Sequence, residues 1–89
     1  MSHDEYWKSV WTDAHARLNH LFDGCRHKVE DIVGDDDGID TYADAKKVLA
    51  HAWRCADTNE EKACATLSVM EALQAVHELK EHSAASAAK

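Results

Sequence analysis

The sequence predicts an all-α protein, and three of its features support this expectation. The chain of 89 residues contains no proline and only three glycines, the two residues that most often interrupt helices. Apolar residues recur at the three- and four-residue spacing of one helix face in three successive stretches. Capping boxes, in which serine or threonine stands three residues before glutamate, precede two of these stretches. We therefore expect an antiparallel three-helix bundle with helices at about 3–33, 41–56 and 59–82.

The first predicted helix begins after the capping box of Ser2 and Glu5 and ends at Gly34, a typical C-terminal stop. Gly24 lies inside it. A glycine within a helix costs about 1 kcal/mol relative to alanine, so a kink or break is considered there. The apolar stripe of this helix comprises Trp7, Trp11, Ala14, Leu18, Leu21 and Cys25.

The second predicted helix starts after Asp40 or Thr41, either of which can act as its N-cap. If this helix runs back along the first, its Trp53 comes close to Trp7 and Trp11, and we expect the three to share an aromatic cluster. The alternative is that one of them is exposed and acts as an interface hot spot. The predicted buried face comprises Tyr42, Ala45, Leu49, Ala52, Trp53 and Ala56, with Val48 at its edge.

The third predicted helix follows the capping box of Thr58 and Glu61 and runs to about residue 82. The tail 83–89 has no large apolar residue to anchor it, so we expect it to fray. Leu67 and Met70 project from the side opposite the main apolar face, which predicts either a second cover within the fold or contact with a partner. At this length, residues 1–89 are expected to form one domain.

The net charge of −7 is concentrated in one segment. Residues 30–44 carry seven acidic side chains and no lysine or arginine, whereas the rest of the chain is balanced. Such clustering is typical of a surface that docks a basic partner, although acids at a helix start also complement the helix dipole. Glu30 and Asp31 fall in the last turn of the first predicted helix, where the dipole disfavours them. The seven residues are Glu30, Asp31, Asp35, Asp36, Asp37, Asp40 and Asp44.

Seven histidines and three cysteines suggest metal binding, but their spacing does not complete a site. No Cys-x-x-Cys or His-Glu-x-x-His motif occurs. An EF-hand loop aligned on Gly38 fails because Val33 takes its first ligand position. We therefore predict no metal site and no cofactor. The nearest approaches to a ligand pair are His20 with Asp23, Asp23 with His27, and His51 with Cys55.

The sequence also lacks the patterns of several functional classes. It has neither a turn that presents a nucleophile nor a phosphate-binding glycine loop, so we expect no enzymatic activity and no catalytic residues. Direct nucleic-acid binding is not expected without a basic patch. No stretch approaches the roughly 20 apolar residues that span a bilayer, and no signal peptide is recognised. The odd cysteine number then favours a cytoplasmic protein in which Cys25, Cys55 and Cys64 are reduced and contribute to the core.

Three functional hypotheses follow. The first is a small regulator or inhibitor that docks on a basic surface of a larger protein, using the seven acidic residues with Leu67 and Met70. Small acidic helical proteins of phage, anti-defence, immunity or antitoxin type are a general analogy, which no motif narrows. The second is a homodimeric structural or scaffold module. The third is a metal- or pH-responsive sensor, because protonation of all seven histidines would bring the formal charge to zero.

Overall fold

Four helices make up most of the chain in a computed structural model, which describes residues 2–34 and 38–87 and the side chains within 2–34 and 38–82. In chain order they are α1 (His3–Asp23), α2 (Val29–Val33), α3 (Tyr42–Cys55) and α4 (Asn59–Ala87). No strand occurs among these residues, which confirms the predicted all-α class. The three long helices, α1, α3 and α4, correspond to the three predicted ones. The short helix α2 lies within the range predicted for the first helix.

The helix expected over 3–33 is not continuous, and it is divided at Gly24. α1 ends one residue before this glycine, and Arg26 then takes a left-handed conformation with a φ of 60°. The carbonyl of Phe22 accepts hydrogen bonds from two backbone N–H groups that follow the break, at 2.9 and 3.2 Å. The break therefore falls at the glycine that suggested a kink. The backbone N–H groups of Cys25 and His27, which follow it, are bonded to the end of α1.

At the start of α2, two side chains accept hydrogen bonds from backbone N–H groups. The side-chain oxygen of Asn19, on α1, accepts from the N–H of Val29 at 2.9 Å. The carboxylate of Asp31 accepts from the N–H of Lys28 at 3.2 Å. α2 ends at Gly34, whose φ of 84° makes the left-handed cap expected of a C-terminal glycine. Asn19 thus ties the start of α2 to α1.

α4 packs along α1 in the antiparallel direction. Arg17, in the second half of α1, donates from Nε to the hydroxyl of Ser68 at 3.1 Å. His3, at the start of α1, lies 3.7 Å from the carboxylate of Glu78, which is ten residues further along α4. The contact between these two helices is the most extensive in the structure.

α3 is also antiparallel to α4, so α1 and α3 run in the same direction. The carbonyl of Asp40, just before α3, accepts from Nζ of Lys80 at 3.4 Å. Near the end of α3, Trp53 donates from Nε1 to the hydroxyl of Thr66 at 3.1 Å. The segment 24–41 returns the chain to the level of the first half of α1. The expected antiparallel order therefore holds for α3 and α4 but not for the first two long helices.

This direction of α3 places Trp53 far from the other two tryptophans. Trp7 lies beside His3, with ring centroids 6.4 Å apart, at the start of α1. Trp53 bonds to Thr66 in the first third of α4, which faces the other end of α1. The predicted aromatic cluster of Trp7, Trp11 and Trp53 is therefore wrong, because it assumed that the second long helix runs back along the first.

The core lies between the three long helices and is rich in alanine, which allows helices to approach closely. Because α3 packs against α2 as well as α1 and α4, its buried face differs from the predicted one. Tyr42 and Trp53, expected on that face, are 68% and 51% exposed, whereas Val48 is fully buried. The buried apolar cluster comprises Ala14, Leu18, Phe22, Val29, Ile39, Ala45, Val48, Ala52, Ala65, Val69 and Ala72.

Two side chains of α1 hold the backbone of Ile39, shortly before α3. Trp11 donates from Nε1 to the Ile39 carbonyl at 3.1 Å, and the Ile39 N–H donates to Nε2 of His15 at 3.0 Å. His15 in turn donates from Nδ1 to the Trp11 carbonyl at 2.8 Å, so both nitrogens of this buried ring are in use. We call Trp11, His15, Gly38 and Ile39 the Ile39 clamp. The clamp fixes where the chain enters α3.

Gly38 allows the Ile39 clamp to close. Its φ of 68° lies in the left-handed region that favours glycine. A Cβ atom at this position would lie 2.5 Å from Nε2 of His15 and 3.0 Å from Cζ2 of Trp11. Any larger residue must therefore displace the two α1 side chains that bind Ile39.

α4 continues beyond its predicted end. The sequence predicts helix to about residue 82 and fraying over 83–89, whereas the structure has helix to Ala87. The additional residues, 83–87, are alanine and serine, and alanine has the highest helix propensity of all residues. Although α4 is 29 residues long, neither it nor any other described helix is apolar enough to cross a membrane.

We predict that Gly38→Ala lowers the free energy of unfolding by about 2 to 4 kcal/mol, from left-handed strain and from the clash with His15. Urea denaturation followed by circular dichroism measures this change. Gly24→Ala is the matched control, because Gly24 has a φ of −65° and its added Cβ meets nothing closer than 3.9 Å. The control should be neutral or stabilising by up to about 1 kcal/mol. Equal effects of the two substitutions would contradict the role given to Gly38.

Candidate functional site

Large apolar side chains are exposed on α3 and α4. Leu67 and Met70, on α4, are 59% and 62% exposed, and Tyr42 and Trp53, on α3, are exposed as well. A fifth large exposed side chain, Tyr6, lies apart on α1. Single apolar residues on a surface are common, but a contiguous group marks a contact surface. The arrangement of the four α3 and α4 residues therefore decides whether they form a site.

Three of these side chains, Tyr42, Trp53 and Met70, lie along the seam between α3 and α4. Tyr42 and Met70 line a common groove of about 550 Å³, and Trp53 bonds to Thr66 of α4. Leu67 lies one turn before Met70 on the exposed side of α4. We call the groove together with Trp53 and Leu67 the α3–α4 groove. Its concave part is lined by Asp40, Thr41, Tyr42, Met70, Leu73, Gln74, Val76, His77 and Lys80.

Neighbouring groups hold the two exposed aromatic rings in place. The hydroxyl of Thr66, which accepts from the Trp53 indole, donates to the carbonyl of Lys62 at 2.8 Å. The Lys62 ammonium lies 5.5 Å from the centre of the Trp53 ring, and Lys46 lies at the same distance from Tyr42. These are cation–π contacts, which restrict the rings at the surface. The aromatic part of the groove is thus ordered before any partner binds.

The structure separates the predicted partner-binding residues into more than one surface. Met70 and Asp40 line the α3–α4 groove, and Leu67 extends it. Glu30 and Asp31 lie on α2, which contacts α1 and α3 but, among the described residues, not α4. Residues 35–37, the three consecutive aspartates of the prediction, lie outside the described residues.

Glu30 and Asp31 occupy the start of a helix and not its end. Because the helix predicted over 3–33 is divided at Gly24, both residues belong to the first turn of α2, where the helix dipole favours negative charge. Asp31 also accepts the backbone hydrogen bond from Lys28. The expectation that the dipole disfavours these two carboxylates is therefore wrong. Their position at the start of α2 explains their charge structurally. The sequence did not show this, because its apolar stripe predicted one continuous helix over 3–33.

Asp40 lines the α3–α4 groove, and Asp44 lies beside Asp40 at the start of α3. Thr41 is the N-cap of α3 and accepts from the N–H of Asp44 at 3.1 Å. Hydrogen bonding with the Asp40 side chain, followed by that with Thr41, holds the pKa of Asp44 below its usual range. Asp44 is therefore ionised at neutral pH, and it adds negative charge beside Asp40.

A second concavity, of about 650 Å³, brings the three cysteines together. Cys25 follows α1, Cys55 ends α3, and Cys64 lies in the first turns of α4. Cys64 is exposed and the other two are half-buried, so Cys64 does not have the core position expected of it. Burial, and secondarily a hydrogen bond with Cys25, raises the pKa of the Cys55 thiol to about 11. Cys55 is therefore a protonated thiol at neutral pH and a poor nucleophile.

Two histidine arrangements were missed by the sequence prediction. Among the described residues, the one group of three potential metal ligands within 4.8 Å of each other is His3, Asp4 and His82, and none of the predicted ligand pairs belongs to it. His82 is distant in sequence from His3 and Asp4, so no spacing rule finds the group. His15 is buried in the Ile39 clamp. Its position one turn after Trp11, on the apolar stripe of α1, was the available signal.

His15 is held in its neutral form by its surroundings. Burial lowers its pKa, and the hydrogen bond to the Trp11 carbonyl opposes this effect without cancelling it. A protonated ring would also lose the Nε2 lone pair that accepts from Ile39. Since both ring nitrogens are bound to the backbone, His15 supports the fold and has no free nitrogen for proton transfer to a ligand.

Comparison of the chain with protein-family models, with curated proteins and with solved structures finds no match.

We predict that the protein loses stability as the pH falls below about 6.5, the usual pKa of histidine. The unfolded chain takes up the His15 proton before the folded chain does, so the contribution is complete above 6.5 and decreases as the pH falls towards the lowered pKa of the folded state. Urea denaturation of the wild type, His15→Gln and His20→Gln at pH 7.5 and 5.0 measures this. His20→Gln, a substitution at an exposed histidine, should behave like the wild type. An unchanged pH dependence in His15→Gln would refute the assignment.

We predict that the Cys64 thiol is alkylated faster than the Cys55 thiol. A thiol with a pKa of about 11 is ionised to only about one part in a thousand at pH 8, and the thiolate is the reactive form. Alkylation by iodoacetamide at pH 8, followed by peptide mass spectrometry, gives both rates. In urea the two rates should become similar, since the difference comes from the folded environment. Faster alkylation of Cys55 than of Cys64 in the folded chain would contradict this environment.

Proposed function

We propose that this protein is a protein-binding regulator or inhibitor and that the α3–α4 groove is its contact surface. The observation that carries the proposal is the exposure of Tyr42, Trp53 and Met70 along one seam, with Leu67 exposed one turn before Met70 on α4. Large aromatic and methionine side chains are enriched in protein interfaces, and tryptophan and tyrosine often contribute most of the binding energy. The occupant is an amphipathic helix of a partner protein, which places its apolar face in the groove.

The position of α4 explains why this surface is available for binding. One side of α4 buries Ala65, Val69 and Ala72 against the other helices. Leu67 and Met70 point away from that interface and remain exposed although α4 contacts both α1 and α3. The apolar surface is therefore in excess of what the fold needs. A partner that covers it gains from burying apolar area at about 25 cal/mol per Å².

The carboxylates near the groove favour one orientation of the bound partner helix. Asp40 lines the groove beside Tyr42, and Asp44 interacts with Asp40. Lys46 and Lys80 are also close, so the groove itself is mixed in charge. We propose that basic residues of the partner face the carboxylates of the acidic segment 30–44. Such complementarity mainly accelerates association and selects among partners.

We propose binding and not catalysis as the activity. The two buried polar side chains of the described region, His15 and Ser68, are both engaged in holding the helices together. His15 binds backbone groups through both ring nitrogens, and Ser68 accepts from Arg17. Cys55 is held as a protonated thiol. These groups serve the structure, and none is arranged as an activated nucleophile or base.

Homodimer formation is the second candidate, because the exposed apolar side chains of the same groove can pack against those of a second copy. A two-fold dimer would place the α3–α4 groove of one chain against that of another. The two candidates predict different behaviour of the pure protein. A binding protein for another chain remains monomeric as its concentration rises, whereas a homodimer dissociates on dilution.

We predict that the double variant Leu67→Lys, Met70→Lys loses partner binding by about 30-fold or more, as expected when a contact worth roughly 2 kcal/mol is removed. Affinity capture from an extract of the native cell, quantified by mass spectrometry, compares this variant with the wild type. Tyr6→Lys is the matched control, since Tyr6 is equally exposed but lies on α1. Both variants change exposed side chains, so their stability should stay within about 0.5 kcal/mol of the wild type.

Retention of the same captured proteins by the double variant would sink the proposal. Light scattering over a range of concentrations separates the two candidates. A wild-type dimer that the double variant converts to a monomer would replace partner binding with homodimer formation.

A further inference from the structure

A group of histidine and carboxylate side chains lies where the start of α1 meets the second half of α4. Nδ1 of His82 is 2.9 Å from Oδ1 of Asp4, and Nδ1 of His3 is 3.3 Å from the same oxygen. The two imidazole rings have centroids 4.4 Å apart. Glu78, one turn before His82 on α4, lies 3.7 Å from Nε2 of His3. Neither partner binding nor the core requires this arrangement.

We propose that His3, Asp4 and His82 form a binding site for a zinc ion. In tetrahedral coordination with bonds of about 2.0–2.1 Å, neighbouring ligand atoms stand about 3.3 Å apart. The two measured separations from Asp4 are close to this value, and all three ligand atoms lie within 4.8 Å of one another. Imidazole nitrogen with carboxylate oxygen is a ligand set that zinc accepts.

Glu78 acts as a positioning residue for His3. If Nδ1 of His3 binds the ion, its Nε2 carries the proton and faces the Glu78 carboxylate. Histidine ligands of metals commonly donate their second N–H to a carboxylate, which fixes the tautomer and the ring orientation. At 3.7 Å, Glu78 is at ion-pair distance from this nitrogen, and a small movement of the His3 ring on metal binding would bring the two within hydrogen-bond distance.

The backbone under the site is held in place without the ion. His3 and Asp4 are in the first turn of α1, whose N-cap is Ser2. Further along the same helix pair, Arg17 bonds to Ser68 and to Glu71. The three ligands are exposed or half-buried, so an ion reaches them from solvent and one coordination position remains for water. A bound ion would join the start of α1 to residue 82 of α4.

The proposed site differs from the sequence-based expectation that the chain binds no metal. It uses none of the acidic segment 30–44 and none of the α3–α4 groove. His77, on the same helix, lines that groove and forms an ion pair with Glu81 at 3.1 Å. It therefore has no part in the zinc site, although it is close in sequence, and His77→Gln is a matched control.

The test is a Zn²⁺ titration of metal-free protein carrying no histidine tag, at pH 7.5, in competition with a chromophoric chelator of micromolar affinity. We expect one Zn²⁺ bound per chain. His82→Gln and Asp4→Asn should weaken binding by at least about 10-fold, while His77→Gln should leave it unchanged. Glu78→Gln should weaken binding by about 10-fold without abolishing it, because it removes the partner of a ligand and not a ligand.

A second measurement distinguishes the site from loose binding by scattered histidines. Zn²⁺ should raise the thermal unfolding temperature of the wild type and of His77→Gln but not that of His82→Gln, because the ion binds the folded state. Circular dichroism of the metal-free variants confirms that they are folded. The proposal is overturned if the wild type fails to compete with the chelator, or if His82→Gln and His77→Gln bind Zn²⁺ equally.

Discussion

The backbone of Ile39 is bound by the indole of Trp11 and the imidazole of His15, and the order of the helices depends on this contact. The chain leaves α1 at one end of the fold and must enter α3 near the other. The described residues of this crossing, 24–34 and 38–41, include one short helix, and the backbone groups outside it lack the regular partners of a long helix. Buried backbone polar groups require partners, and α1 supplies them through side chains. Asn19 does so at the start of the crossing, and the Ile39 clamp does so at its end.

The parallel direction of α1 and α3 follows from this crossing, and the position of α4 follows from that direction. α4 lies antiparallel to both helices and packs most extensively on α1. Alanines at the helix contacts, among them Ala14, Ala52 and Ala72, are fully buried and keep the helices close. With so much of the core made of small side chains, larger apolar residues are left over. Leu67 and Met70 are two of these, and they lie on a side of α4 that no described helix covers.

Different sides of α4 therefore serve different purposes. Glu78 and His82 face the start of α1, where the proposed zinc ion would strengthen a contact that already exists. Met70 and His77 face the groove beside α3, where a partner would bind. Because the two sites do not overlap, metal binding would stabilise the scaffold without covering the contact surface. His15 belongs to neither site, yet its neutral state couples the fold to pH.

The sequence by itself determined the all-α class, several helix ends, and the position of Leu67 and Met70 opposite the main apolar face of α4. Caps and periodic stripes act over a few residues, which is why Ser2, Thr41 and Gly34 end or begin helices as predicted. Only the tertiary structure decided the direction of α3. This direction leaves Tyr42 and Trp53 exposed beside α4, where Tyr42 and Met70 line a groove. The tertiary structure also decided the meeting of His3 and Asp4 with His82. These outcomes depend on contacts between residues distant in the chain, and helical periodicity carries no information about such contacts.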